Sequence, residues 1–196
     1  MDQPGLRERG KQRRREAITR AAYRLFAERG YGPTTIDDIA QAAEVARRTV
    51  TLYFPSKQDL ALARTADSLQ RLTDALTDRP DGVSTLDAVK AWLDQEIKAA
   101  TELDLLEHRM FEANPELQAL RSIHYSDAVR AGTTSIARDI GAAPDDAGPA
   151  LAAAAIVAVI TQAYATAENQ DAEQALRTGF AFLEAGIASL AQPSKP

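Results

Sequence analysis

Residues 18–60 read ITRAAYRLFAERGYGPTTIDDIAQAAEVARRTVTLYFPSKQDL, and the spacing in this stretch decides the fold. Ile18, Ala21, Ala22 and Leu25 recur at helical intervals, and Phe26 widens the same apolar face. Gly30 stands where a helix ends on a left-handed residue. Gly32-Pro33 lies in the connector that follows. Thr35 with Asp38 three residues later reads as an N-cap and a short capping box. Ile36, Ile39, Ala40 and Ala43 then share a face. A tight turn at Ala43-Glu44-Val45 leads into a third, short helix over about residues 46–53, which Pro55 terminates. Ser56 with Asp59 repeats the cap pattern and opens a fourth helix carrying Leu62, Ala66, Leu69 and Leu76.

The third helix points to function. It has few apolar side chains, and Arg47, Arg48, Thr49 and Thr51 would be wasted in a core. A helix offered to a major groove needs such a face: arginine makes bidentate bonds to guanine, and threonine meets a thymine methyl or a phosphate. Val45 and Val50 are its expected anchors. Thr35 and Lys57 sit in first turns of helices, where free N–H groups attract anions, and Tyr53 offers a hydroxyl. Lys11, Arg13, Arg14 and Arg15 lead into the first helix and suit backbone or minor-groove contact.

Charge supports that reading. The 196-residue chain has a net charge of −5, but residues 1–60 hold 12 Lys and Arg against 8 Asp and Glu, leaving a surplus of cations there and of anions beyond. Attraction for phosphate is thus confined to the front end.

The stretch resembles the TetR family of bacterial transcription regulators. Phe26, Ala27, Gly30, Thr35, Ile39, Ala40, Ala43, Thr49, Tyr53, Phe54, Ser56 and Lys57 fit that family's pattern in type and spacing. The resemblance implies an all-helical homodimer joined through its last two helices, with a ligand pocket in each body. Effector binding would change the spacing of the reading heads and release the operator. It maps Thr35, Tyr53 and Lys57 onto phosphate-contacting positions, and Arg47, Arg48, Thr49 and Thr51 onto the groove-facing helix. Three residues depart from the pattern: Glu44 replaces the usual turn glycine, Ala46 the usual serine cap, and Thr51 a frequent aromatic.

Beyond residue 60 the pattern stays helical. Asp78-Arg79-Pro80-Asp81-Gly82 is the clearest break, and Ser84 with Asp87 restarts a helix. Leu103, Leu106 and Met110 mark the next, and Asn114-Pro115 punctuates before a long helix over about residues 116–140. An alanine-rich helix is expected over about 147–169 and a final one bearing Leu176, Phe180, Leu183, Ile187 and Leu190. The expected architecture is all-α with about nine helices. A three-helix helix-turn-helix DNA-binding domain at 1–60 (motif about 35–54) precedes a ligand-binding and dimerisation bundle at 61–196.

Trp92, Met110, Phe111, His124, Tyr125 and Tyr164 are the candidate pocket residues, since methionine and aromatics line adaptable apolar sites. Leu176, Phe180, Leu183 and Ile187 are the candidate dimer seam. Cysteine is absent, which fits a reducing cytoplasm, and no metal-ligand spacing, phosphate loop or nucleophile elbow occurs. The longest apolar run, Leu151 to Ile160, is too short to cross a bilayer. The reading is a DNA-binding regulator, not an enzyme, without a cofactor. Its expected partners are a double-stranded operator, a small-molecule effector and a second copy of itself.

Overall fold

The computed structural model describes residues 5–143, 145–165 and 172–191. Among them are ten helices: α1 (Leu6–Arg29), α2 (Ile36–Ala42), α3 (Arg47–Tyr53), α4 (Lys57–Ala61), α5 (Ala63–Thr77), α6 (Thr85–Lys98), α7 (Glu102–Ala113), α8 (Pro115–Ile140), α9 (Ala147–Ala165) and α10 (Ala172–Leu190). The count exceeds nine because the helix opened by Ser56 breaks at Leu62, which separates α4 from α5. Residues 166–169 of the expected alanine-rich helix lie outside the described residues.

Two compact units divide the chain, and the divisions fall inside α5, at the end of α6 and inside α8. The first unit comprises residues up to Asp67 together with Ala99–Ile123. Its core gathers Ile18, Tyr23, Phe26, Ile39, Val50, Leu60, Met110 and Leu117, all fully buried. The apolar stripe of α1 faces α2, α4 and, along much of its length, α7. The head therefore recruits a helix some 50 residues further along the chain. Asn114, fully buried at the end of α7, ties this packing together. Its Nδ2 donates to the Phe26 and Met110 carbonyls at 2.9 and 2.7 Å, and its Oδ1 accepts from the Tyr31 N–H at 2.6 Å. Gly30 closes α1 with φ 89° and ψ 152°. The positive φ was expected. The ψ, however, is extended rather than left-handed helical, in a region open essentially to glycine alone.

The second unit comprises Ser68–Lys98 and the chain from His124 on. Its core includes Leu72, Leu76, Val89, Trp92, Leu93, Ile136, Ile156, Phe180 and Leu183. α9 and α10 approach closely: a Cβ placed on Gly179 would collide with the Val159 side chain. This packing corrects the dimer seam. Phe180 and Leu183 are 8% and 2% exposed, and Leu176 and Ile187 pack on the same core. The four–three repeat of α10 is spent on its own subunit. The face left outward carries Phe182, 67% exposed, as α9 carries Leu151 at 69%.

Candidate nucleic-acid interface

α2 begins at a complete capping box. The Thr35 hydroxyl accepts from the Asp38 N–H at 3.1 Å, and the Asp38 carboxylate accepts from the Thr35 N–H at 2.8 Å. The same carboxylate also accepts a hydrogen bond from the Thr35 hydroxyl at 2.5 Å. The hydrogen bonds from the Thr35 hydroxyl and N–H hold the Asp38 carboxyl below the usual range. Both donors of Thr35 are thereby used within the chain. A phosphate at this position would have to displace Asp38, so Thr35 is a helix cap rather than an open clamp.

The turn after α2 is a Schellman closure. The Val45 N–H donates to the Ala40 carbonyl at 2.9 Å and the Glu44 N–H to the Gln41 carbonyl at 3.1 Å. Glu44 occupies the left-handed position, at φ 53°, and no other non-glycine residue among those described has a positive φ. The departure from glycine noticed in the sequence is therefore a real strain point. α3 then starts at Ala46 without a side-chain cap.

α3 is anchored by one buried side chain, Val50. Arg47, Arg48, Thr51 and Leu52 are exposed, and Thr49 and Tyr53 are half-buried. At i, i+4 spacing Arg47 aligns with Thr51 and Arg48 with Leu52, forming one outward strip. Arg47 forms an ion pair with Asp37 of α2, with both side chains more than 60% exposed. Such a pair is weak in water and exchanges readily for a stronger anion. Arg48 makes no side-chain ion pair or hydrogen bond among the described residues. Leu52, 81% exposed, was missed in the sequence. Its position four residues after Arg48 is the signal that would have found it.

Lys57 also departs from expectation. Its ammonium donates to the carbonyls of Tyr31, Gly32 and Thr34 at 2.7, 3.1 and 3.0 Å and stands 4.3 Å from the Tyr31 ring centroid. All three of its protons are engaged, so it staples the α1–α2 connector rather than standing free for phosphate.

The pocket candidates do not form one cluster. Met110 and Phe111 belong to the core of the first unit, because α7 packs on α1. The Arg121 guanidinium lies 4.3 Å over the Phe111 ring. Trp92 is in the second unit, its indole N–H donating to the Ser68 carbonyl at 3.3 Å. His124 and Tyr125 are half-buried in the second unit. Tyr164 has its side chain outside the described residues.

Two family models match. Residues 18–63 match the model described as bacterial regulatory proteins, tetR family, and residues 83–188 match the MftR C-terminal domain. The chain belongs to the TetR family. It is a transcriptional regulator with a DNA-binding helix-turn-helix, and the relatives of this TetR-family chain are regulators rather than enzymes. The transcriptional regulator MftR of Mycobacterium tuberculosis, named for mycofactocin biosynthesis, is 29% identical over 89% of this chain and 91% of its own. TcmR of Streptomyces glaucescens is 40% identical over 44% of this chain, which spans 38% of that relative. Among solved structures, the SmeT–triclosan complex superposes with a TM-score of 0.60 at 23% identity, covering 86% of this chain and 90% of SmeT. At these identities the superposition speaks for the fold. No described helix of this TetR-family chain is long and apolar enough to cross a membrane.

Proposed function

We propose that this chain is a ligand-responsive repressor that binds a near-palindromic operator as a homodimer. The observation that carries the reading is the outward strip of α3, in which an exposed Leu52 and an Arg48 with no side-chain partner among the described residues flank Thr51, while Val50 is the helix's one buried side chain. Solvent gives an exposed leucine nothing, whereas a thymine methyl in the major groove does. Residues 1–60 form the reading domain, and residues 61–196 sense the effector and pair the subunits. Tyr53, at the end of the same helix, is positioned beside the phosphates.

The pairing surface is the outer face of α9 and α10, with Leu151 and Phe182 as the exposed apolar anchors. Small neighbours on these helices, Ala154, Ala158, Ala181 and Ala185, are exposed with them and permit close approach. The effector is a small apolar molecule taken up in the second unit near Trp92, His124 and Tyr125. The triclosan complex of SmeT supports that class of ligand. Binding a chromosomal operator places the protein in the cytoplasm.

Selection from a random duplex library with the wild-type chain tests the reading. A near-palindrome with half-sites about 34–36 Å apart is expected. Arg48→Ala should lose about 1–3 kcal/mol of discrimination at a base in each half-site. A wild-type chain that enriches no duplex would overturn the proposal.

A further inference from the structure

The first turns of α1 are helical yet unpacked. Every residue from Gly5 to Arg14 is exposed, and burial along α1 begins only at Ile18. At 3.6 residues per turn, Arg7, Lys11 and Arg14 continue the face that carries Ile18, Ala22 and Leu25 further on. One stripe of the helix is thus apolar where it meets the head and cationic where it runs free.

That cationic stripe adjoins the end of α3. The Arg15 guanidinium lies 5.2 Å from the Phe54 ring centroid and pairs with Asp67 at 2.8 Å, so Arg15 is committed to the head. One turn earlier, Lys11 pairs with Glu8 at 2.8 Å, both side chains more than 60% exposed. The hydrogen bond and charge of Glu8 hold the Lys11 ammonium above the usual lysine range, and Tyr53 is close enough to add to the effect. The side chains of Arg7 and Arg14 form no ion pair or hydrogen bond among the described residues.

We propose that Arg7, Lys11 and Arg14 form a second, sequence-blind contact that grips the phosphodiester backbone of duplex DNA beside the bases read by α3. The proposal rests on the DNA-reading assignment above. Arg7 to Arg14 spans about 10 Å along the helix axis, about three steps at about 3.4 Å of axial rise per phosphate on one strand. The exposed Lys11–Glu8 pair gives way readily to a phosphate. Such contacts fix register without reading sequence, so they add affinity and salt dependence but no base preference.

The opposite face of the same helix supplies the control. Arg9, Arg20 and Arg24 are exposed and lie on the far side of the helix from Arg7, Lys11 and Arg14. Two triple variants of the full chain are compared on one duplex enriched by the wild type. Arg7→Ala with Lys11→Ala and Arg14→Ala should flatten the plot of log affinity against log salt by about 0.9 per cation, about 5.4 in all for the six cations of a bound dimer. The ranking of single-base variants of that duplex should not change. Arg9→Ala with Arg20→Ala and Arg24→Ala removes the same charge and should change the slope by less than about one. An unchanged slope in the first variant, or equal flattening in both, overturns this proposal and leaves the reading helix untouched. A wild type that selects no duplex removes both.

Discussion

Replacing Glu107 by glutamine should abolish a fall in stability that the wild type shows as pH rises from about 5 to 8. Glu107 lies on α7 with its side chain 16% exposed, accepting from the Thr65 hydroxyl at 3.0 Å and standing 3.8 Å from Arg64 Nε. Burial pushes its carboxyl from 4.5 to about 7; the Thr65 hydrogen bond and the Arg64 charge oppose that rise, the Asp104 carboxylate adds to it, and Arg121 works against it. The nearby Tyr23 hydroxyl is buried and raised well above its ordinary value, so it stays neutral throughout this range.

The native chain therefore holds a proton that the unfolded chain releases. Its contribution is fully present below pH 4.5 and is lost as pH rises through about 7. At about 1.4 kcal/mol per pH unit, this span is worth at most about 3 kcal/mol. Asp104 works in the other direction: burial raises its carboxyl, but the Thr101 N–H and the Arg64 guanidinium outweigh burial and hold it below the usual range. Its contribution disappears only in acid, below 3.8, outside the window. Glutamine keeps an acceptor for Thr65 and cannot ionise. Denaturant unfolding of both proteins at pH 5 and pH 8 should show the wild type losing about 2–3 kcal/mol relative to Glu107→Gln. Parallel pH dependences in the two proteins would refute the reasoning.

Glu44→Gly should raise stability by about 0.5–1 kcal/mol, because a left-handed side-chain residue costs about 1–2 kcal/mol and the added chain entropy of glycine returns only part of that; an unchanged denaturation midpoint would show the turn to be unstrained. Phe182→Asp should yield a folded monomer by light scattering, whereas Leu183→Ala should lose about 2–5 kcal/mol of stability, since only Leu183 is buried in its own subunit. A dimer that survives Phe182→Asp would exclude the outer face of α10. Lys57→Met should lower the melting temperature, because three connector carbonyls lose their donor, at about 1–3 kcal/mol if they stay unsatisfied. Weaker DNA binding at unchanged stability would instead return Lys57 to the role of a phosphate clamp.

Helix ends were legible in the sequence because capping is local. Thr35 with Asp38, Ser56 with Asp59, and Ser84 with Asp87 each make the side-chain-to-backbone bond that their three-residue spacing suggests. The outward cations of α3 were legible for a related reason: a short helix with one large buried residue has nowhere else to point them. The Thr101 and Asp104 box was equally local and was simply overlooked. What tertiary structure alone decided was the choice of partner. The apolar repeat on α10 states that a helix packs there but not against whose helix, and apolar burial carries no direction that would tell. The same holds for α7, whose Met110 and Phe111 serve the head core rather than a pocket, and for Lys57, whose protons go to carbonyls more than twenty residues back. Hydrogen bonds across three or four residues are set by the chain itself, whereas contacts across fifty wait until the fold has brought the surfaces together.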